Sequence, residues 1–493
     1  MKNLNSNRQR LMAVAGTVLF AAGCFSVPVL AEEATGVLKR ASSTMGDPKS
    51  VKYVAEGNGY TLGQAFIPGV AWPRINVHNQ TRTINYDTAS MREEITLSRA
   101  EPKGGGGYPL SGQQKNDGLV SGAYAWNMAG TTPQPGPRYV AERTHELWIT
   151  PHGVLKAAAR NDAKLAWTGS GKKTLAAVSF TQPGALSATA YINDQYLVER
   201  VESRFPNAVL GETTAVTSYS EYRAYGGIQF PGRIEQSIGG HPVLSVIVTQ
   251  VEPNAAADIT VPDAVRTATE RVTTDKVADG VWFVAGASHN SVVIEMKDHL
   301  VVVESPLGDF RAAPVFEAVK KLVPGKAIRY VVNSHNHFDH SGGLRAAVAE
   351  GATIVTQAGN KAYFEKAFAT RGKINPDLLT KSGKKAKIET VGEKKVMTDG
   401  TRSIELHRIK ENLHNDTFLM VYLPKEKLLI EADAYTPPPP NVAPAGAPNN
   451  AHTINLVKNV ERLKLSVERI VPLHSRVATV AEMYTAAGAS MPK

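Results

Sequence analysis

His335-Asn336-His337-Phe338-Asp339-His340 sets three imidazoles and a carboxylate within six residues. The apolar run Ile328 to Val332 before it has the length of a buried strand, and Ser341-Gly342-Gly343 leads into the helical stretch Leu344 to Glu350. The hexapeptide is therefore predicted on a strand-to-helix loop. His335 and His337 can point to one side of such a loop, while Asp339 and His340, at its tightening end, face a second point nearby. A merely solvated loop gains little from this composition, since the imidazoles repel one another on protonation. Imidazole and carboxylate are the preferred ligands of zinc-like ions, so the pattern points to two metal ions side by side.

Around the hexapeptide, strands alternate with helices. Val281 to Val284, Ser291 to Glu295, Leu300 to Val303 and Thr353 to Val355 read as strands, and Ala312 to Leu322 and Lys361 to Phe368 as helices. That texture means a sheet covered by helices. It begins near Arg271, after the Pro- and Ala-rich stretch Asn254 to Asp263, so a domain boundary is expected near residue 265. A chain of 493 residues is too long for one ordinary core, which agrees with two domains, 32–265 and 266–493.

The first of these reads as mainly antiparallel β. Arg82 to Tyr86, Met91 to Leu97, Ala188 to Ile192, Leu197 to Arg204, Ala215 to Tyr225 and Val243 to Val251 alternate like half-buried strands, with turns at Asp194-Gln195-Tyr196 and Gly226-Gly227. Helical periodicity is sparse. Gly104 to Gly107 and Pro133 to Pro137 read as loop. The stretch Leu186 to Val251, with Tyr222, Gly226, Gly227, Phe230 and Pro231, resembles the repeated hairpins of periplasmic lipoprotein-carrier half-barrels.

Lys2, Arg8 and Arg10 precede an apolar run from Leu11 to Ala31, interrupted by Gly16, Gly23 and Pro28 and followed by Glu32-Glu33. This is the pattern of a signal peptide over 1–31, cleaved after Ala31, and it places the protein in the periplasm or outside the cell. A lipid anchor at Cys24 is the less favoured reading, because the apolar stretch continues past it. Cys24 is the only cysteine, so the mature chain would hold no disulfide and no thiolate ligand. No later segment is long and apolar enough to span a bilayer. The formal charge of +10 falls to +7 without Lys2, Arg8 and Arg10, and the other basic residues are scattered, which argues against nucleic acid as a partner.

The C-terminal half resembles the metallo-β-lactamase fold superfamily. The resemblance rests on Asp279-Gly280-Val281-Trp282, Ser288-His289-Asn290-Ser291, the His335 to Gly343 cluster and three later residues in order. These are His414 in Asn412-Leu413-His414-Asn415-Asp416-Thr417, Asp433 in Glu431-Ala432-Asp433, and His474 in Ile470-Val471-Pro472-Leu473-His474-Ser475. The family fold implies an αββα sandwich, here preceded by the antiparallel β domain. It also implies that His335, His337 and His414 hold one metal, that Asp339, His340 and His474 hold a second, and that Asp433 bridges them. Two dications against Asp339, Asp433 and one hydroxide leave a net charge of about +1, which favours water deprotonation and attracts an electron-rich carbonyl.

The resemblance implies a binuclear zinc hydrolase, with iron or manganese as other compatible metals, acting on a small-molecule ester, lactone, thioester or amide, β-lactams included. Metal-bound hydroxide would attack the carbonyl, with Asp339 or Asp433 orienting it. Asp433 stands where thiolate-containing lactamases carry cysteine, so the site is closer to Asp-bridged thioesterases and lactonases. The usual Gly-His pairs are absent before His414 and His474. His289 reads as a supporting or structural residue, and His299, His407 and His452 as ordinary, His452 lying near the expected cleft. Tyr435 to Asn450, with prolines from Pro437 to Pro440, is either a stiff wall of that cleft or an inert excursion. Two rivals remain open at this stage: an iron persulfide dioxygenase using the same ligands, and a protein that binds an apolar ligand beside a vestigial metal site.

Overall fold

A computed structural model describes residues 33–100, 112–171, 174–182, 184, 186–439 and 450–491. The expected signal peptide with Cys24, the Gly104 to Gly107 run and most of the Tyr435 to Asn450 stretch lie outside these residues.

In the N-terminal domain one 13-stranded sheet runs from Ser50–Tyr60 to His241–Pro253. Those first and last strands pair with each other in its middle, from Val51↔Pro253 to Gly59↔Leu244, and every neighbouring pair is antiparallel. Alternate residues such as Val51, Tyr53 and Ala55 turn to a face covered by the helices Ala34–Met45, Val140–Trp148 and Pro151–Ala159. Helix Pro151–Ala159 starts with proline in its first turn, capped by the Thr150 side chain, which accepts from the Gly153 amide. It buries seven of its nine residues, so no polar stripe marks its period in the sequence.

Two expectations are corrected. Pro133 to Pro137 is not plain loop: Thr132–Pro135 is a strand and Pro137–Tyr139 a 3-10 turn. The strand lies at the outer edge of the sheet, where proline's missing N–H costs least. Ala215 to Tyr225 is not one strand but two, Gly211–Ser220 and Arg223–Tyr225, separated at Glu221, whose φ is 57°. The second piece forms a hairpin with Ile228–Phe230 around Gly226-Gly227.

The C-terminal domain has the expected sandwich. A seven-stranded sheet, from Thr273–Ala278 to Lys387–Val391, is antiparallel through its first four strands and parallel from His299–Val303 onward. It faces a six-stranded sheet running from Lys394–Thr398 to Ala478–Thr479. Val292, Ile294, Val301 and Val303 point into the core between the sheets, with Leu406, Val421 and Ile430 opposite. Val293, Val302 and Val331 point outward to helices Asp309–Leu322, Leu344–Glu350 and Lys361–Ala369. Burial on both faces explains the unbroken apolar runs of these strands. Among the described residues no helix is long and apolar enough to cross a membrane.

His152 gives the N-terminal core a pH dependence. It is buried, its Nε2 lies 3.1 Å from the Met45 carbonyl, and burial brings its pKa down to about 4 from 6.5. A depressed folded-state pKa means that the unfolded chain takes up the proton first, so stability is full above pH 6.5 and is lost as pH falls towards 4. The wild type should lose about 3 kcal/mol relative to His152→Gln across that window, read by urea unfolding at a series of pH values.

Candidate metal centre

The hexapeptide leaves the strand Ala327–Val332 and turns at the edge of both sheets. Asn333 bonds back to the seven-stranded sheet through its amide and the Val355 carbonyl, 2.9 Å, while the Ser334 carbonyl accepts the Leu419 amide of the six-stranded sheet, 2.8 Å. The turn then closes on the His337 carbonyl, which accepts the amides of His340 and Ser341 and the Ser341 hydroxyl at 2.8–3.1 Å. The short helix Phe338–Ser341 follows, so the cluster does sit on a strand-to-helix loop.

Each later residue arrives by its own device. His414 sits in a turn built by the Asn412 side chain, whose Oδ1 accepts the amides of His414 and Asn415 at 2.7 and 3.1 Å. An Asx turn thus replaces the family's glycine. Asp433 follows the strand Leu428–Glu431, in a turn fixed by the buried Glu431 carboxyl, which accepts the amides of Ala434 and Tyr435. His474 follows the strand Arg469–Pro472, and Asn290 ties its neighbours down by donating to the carbonyls of Leu473 and Ser475. A backbone bridge pairs His289 with His474 across the two sheets.

All seven expected residues meet in one place. His335, His337 and His414 bring their ring nitrogens within 4.8 Å of one another, and the Nε2 atoms of His335 and His414 are 3.3 Å apart. On the other side, the Nε2 atoms of His340 and His474 are 3.1 Å apart. Asp433 lies between the groups. Its carboxylate is 2.7 Å from His474, 2.9 Å from His340, 3.3 Å from His335 and 3.5 Å from His414. Asp339 sits further out, with Oδ2 3.8 Å from His340 Nε2.

The electrostatics favour cations here. Burial, reinforced by the neighbouring imidazoles, holds His335 well below its ordinary pKa and brings His337 to about 3. Burial should lower His340 too, but Asp433 and Asp339 together raise it well above, so a proton there answers the same negative field that a metal would. Against burial, which would raise them, the imidazoles hold Asp339 and Asp433 well below the carboxylate range. His337 is buried with both ring nitrogens lacking a hydrogen-bond partner, an arrangement costly for a polar side chain unless a metal takes up a lone pair. This donor set fits two zinc-like ions.

Several supporting residues escaped the sequence reading. Glu304, fully buried at φ 70°, contacts Nδ1 of His340 at 3.2 Å and binds the Ser334 hydroxyl and the Asn333 amide group. Ser334 Oγ is 2.9 Å from Nδ1 of His335. These contacts aim the Nε2 atoms inward. The unusual backbone of Glu304 is a structural signal with no trace in its local sequence. His289, read as a supporting or structural residue, lies with its Nε2 3.1 Å from Asp339 Oδ2, and its ring stands with those of His340 and His474 in a group close enough to hold an ion. His452 lies beside His414, ring centres 5.6 Å apart, whereas His299 and His407 pair with Asp298 and Glu405.

The family described as the Metallo-beta-lactamase superfamily matches residues 284–474, a span that holds all seven. The C-terminal domain belongs to this superfamily. Its solved neighbours include a metallo-beta-lactamase from Pontibacter korlensis, 16% identical, covering 44% of this chain and 98% of that one, TM-score 0.34. The mono-zinc form of the metallo-beta-lactamase FIM-1 from Pseudomonas aeruginosa is 17% identical and covers 45% and 95%, TM-score 0.32. Rubredoxin oxygen:oxidoreductase from Desulfovibrio gigas is 16% identical and covers 44% and 60%, TM-score 0.34. No curated protein matches the chain. Within a metallo-beta-lactamase domain, Glu304 should matter to metal affinity although it is no ligand. Glu304→Ala is expected to weaken metal binding by about 10–100-fold, measured by competition with a chromophoric chelator.

Proposed function

We propose that the chain is a binuclear zinc hydrolase acting on the carbonyl of an ester, lactone, thioester or amide, a β-lactam ring among them. The observation that carries this reading is the position of Asp433, whose one carboxylate reaches imidazoles of both groups. His335, His337 and His414 would hold one ion and Asp339, His340 and His474 the other, with Asp433 shared. Two bound zinc ions supply Lewis acidity at a carbonyl oxygen and bring the pKa of water down to roughly 7.

The chain's own groups do the rest. The Nδ1–H of His340 can donate to Glu304, 3.2 Å away, so that when a cation displaces the proton on Nε2 that lone pair would face inward. Phe418, with its ring centre 4.7 Å from that of His335 and 5.7 Å from that of His414, keeps water from their outer side. Asp433 and Asp339, ionised at neutral pH, can accept a hydrogen bond from the attacking water and orient it. Substrate access is from the side where Asp339 and His474 keep some exposure, 30% and 17% of their side chains.

The signal-peptide pattern over 1–31 makes the protein periplasmic or secreted in this reading, with the two domains dividing near residue 265. An assay over esters, lactones, thioesters and β-lactams, with metal analysis of the same preparation, tests the proposal. Two zincs per chain and activity abolished by chelator and restored by zinc are expected. One iron per chain with oxygen consumption on a persulfide would replace it with the oxidative reading. Asp433→Asn should lower kcat by about 10²-fold or more while the protein stays folded, as judged by circular dichroism.

A further inference from the structure

The C-terminal domain does not close its metal centre alone. The segment from Thr61 to Pro73, which joins the strands Ser50–Tyr60 and Arg74–Asn85 of the N-terminal sheet, lies directly against the hexapeptide. Its carbonyls form a row of acceptors. Gly63 takes the Phe338 amide at 3.2 Å, Ala65 takes the side-chain amides of Asn336 and Asn415 at 3.3 and 3.2 Å, and Phe66 takes the Asp416 amide at 3.0 Å. Phe338, between His337 and Asp339, sends its ring among Ala65, Trp72, Phe205 and Ile238. The approach is so close that a Cβ on Gly63, at φ +81°, would fall 2.2 Å from that ring, so only glycine fits.

The segment held in this way carries Gln64. Its Nε2 donates to Asp339 Oδ1 at 2.8 Å, while Asp339 Oδ2 faces His289 at 3.1 Å and His340 at 3.8 Å. We propose that Gln64 is a positioning residue for the second metal ion, fixing the carboxylate plane of Asp339 from the neighbouring domain and making the N-terminal domain part of the metal centre. This rests on Asp339 being a ligand. The terminal torsion of an aspartate is soft, so a carboxylate with one free oxygen would swing between orientations. A neutral amide donor suits the task, because a lysine or arginine in its place would offset the charge that the carboxylate offers a dication. The interface itself does not need Gln64, since the backbone row and Phe338 already join the domains.

The test uses the full chain with Gln64→Ala and Gln64→Glu, the second keeping the side chain's size but setting a like charge against Asp339. Zinc stoichiometry and stepwise affinity are read by chelator competition, geometry by the visible spectrum of the cobalt-substituted protein, and folding by the melting temperature of the metal-free form. The wild type should bind two zincs. In both variants the first should stay within about twofold and the second weaken about 10–100-fold, more for Gln64→Glu, with the metal-free melting temperature unchanged. Unaltered second-ion affinity in both variants of a two-zinc protein overturns the role of Gln64 alone, as does a parallel loss of both ions with metal-free stability. A wild type that takes up fewer than two ions overturns the binuclear reading and the proposal with it.

Discussion

Four imidazoles lie within 3.5 Å of one half-buried carboxylate, Asp433, and the rest of the C-terminal domain is arranged to hold them there. Lone pairs and negative charge turned inward, away from water, form an unfavourable arrangement that a protein keeps only by supporting each member from behind. Each support is a hydrogen bond to a rigid element: Ser334 and Glu304 behind His335 and His340, Asn412 under His414, Glu431 under Asp433, and Asn290 beside His474. Most of these supports are themselves buried, so they cannot be satisfied by water if the centre shifts. Metal uptake and local order should therefore be strongly coupled.

The sandwich makes such convergence possible. The hexapeptide, Asp433 and His474 all follow strands, and a strand buried on both faces has little freedom at its end. His414 lacks that anchor and lies in the loop between Ser403–Arg408 and Leu419–Leu423. Its position depends instead on the Asx turn at Asn412 and on Asn415, which reaches both Asn336 and the Ala65 carbonyl of the other domain. The N-terminal domain thus supports both ends of the centre, His414 through Asn415 and Asp339 through Gln64.

What could be read from the sequence follows from how local each feature is. The hexapeptide announced itself because its donors are adjacent, and the apolar strands of the sandwich because burial on both faces leaves long unbroken runs. Asp433 and His474 could be found only by their order after that cluster, since an isolated Asp or His at a strand end has many other uses. Glu304 and Gln64 were invisible: the first lies 30 residues upstream of Ser334, the second 275 residues from Asp339, and neither neighbourhood carries a motif. The helix Pro151–Ala159 over the N-terminal sheet was missed for the opposite reason, since near-complete burial erased its amphipathic period. The edge strand Thr132–Pro135 was missed because its prolines suggest loop until the sheet order shows that it has a free side.

The two carboxylates of the centre end in different surroundings. Asp433 is in contact chiefly with imidazoles, whereas Asp339 receives Gln64 on one oxygen and His289 on the other. Burial brings His289 to a pKa of about 4, so at neutral pH its ring is uncharged and donates one N–H to Asp339. The Ser288 hydroxyl, 2.9 Å from Nδ1, completes that tautomer by donating to the ring. Because a hydroxyl can also accept, the same contact would stabilise the opposite tautomer, in which Nε2 turns a lone pair to the centre. Donors on a carboxylate draw charge away from any cation it binds, so an ion held by Asp339 would be less neutralised than by the same carboxylate without Gln64 and His289, and a stronger Lewis acid than in their absence. The polarisation of a cation there would thus depend on the uncharged neighbours of Asp339 as well as on its carboxylate.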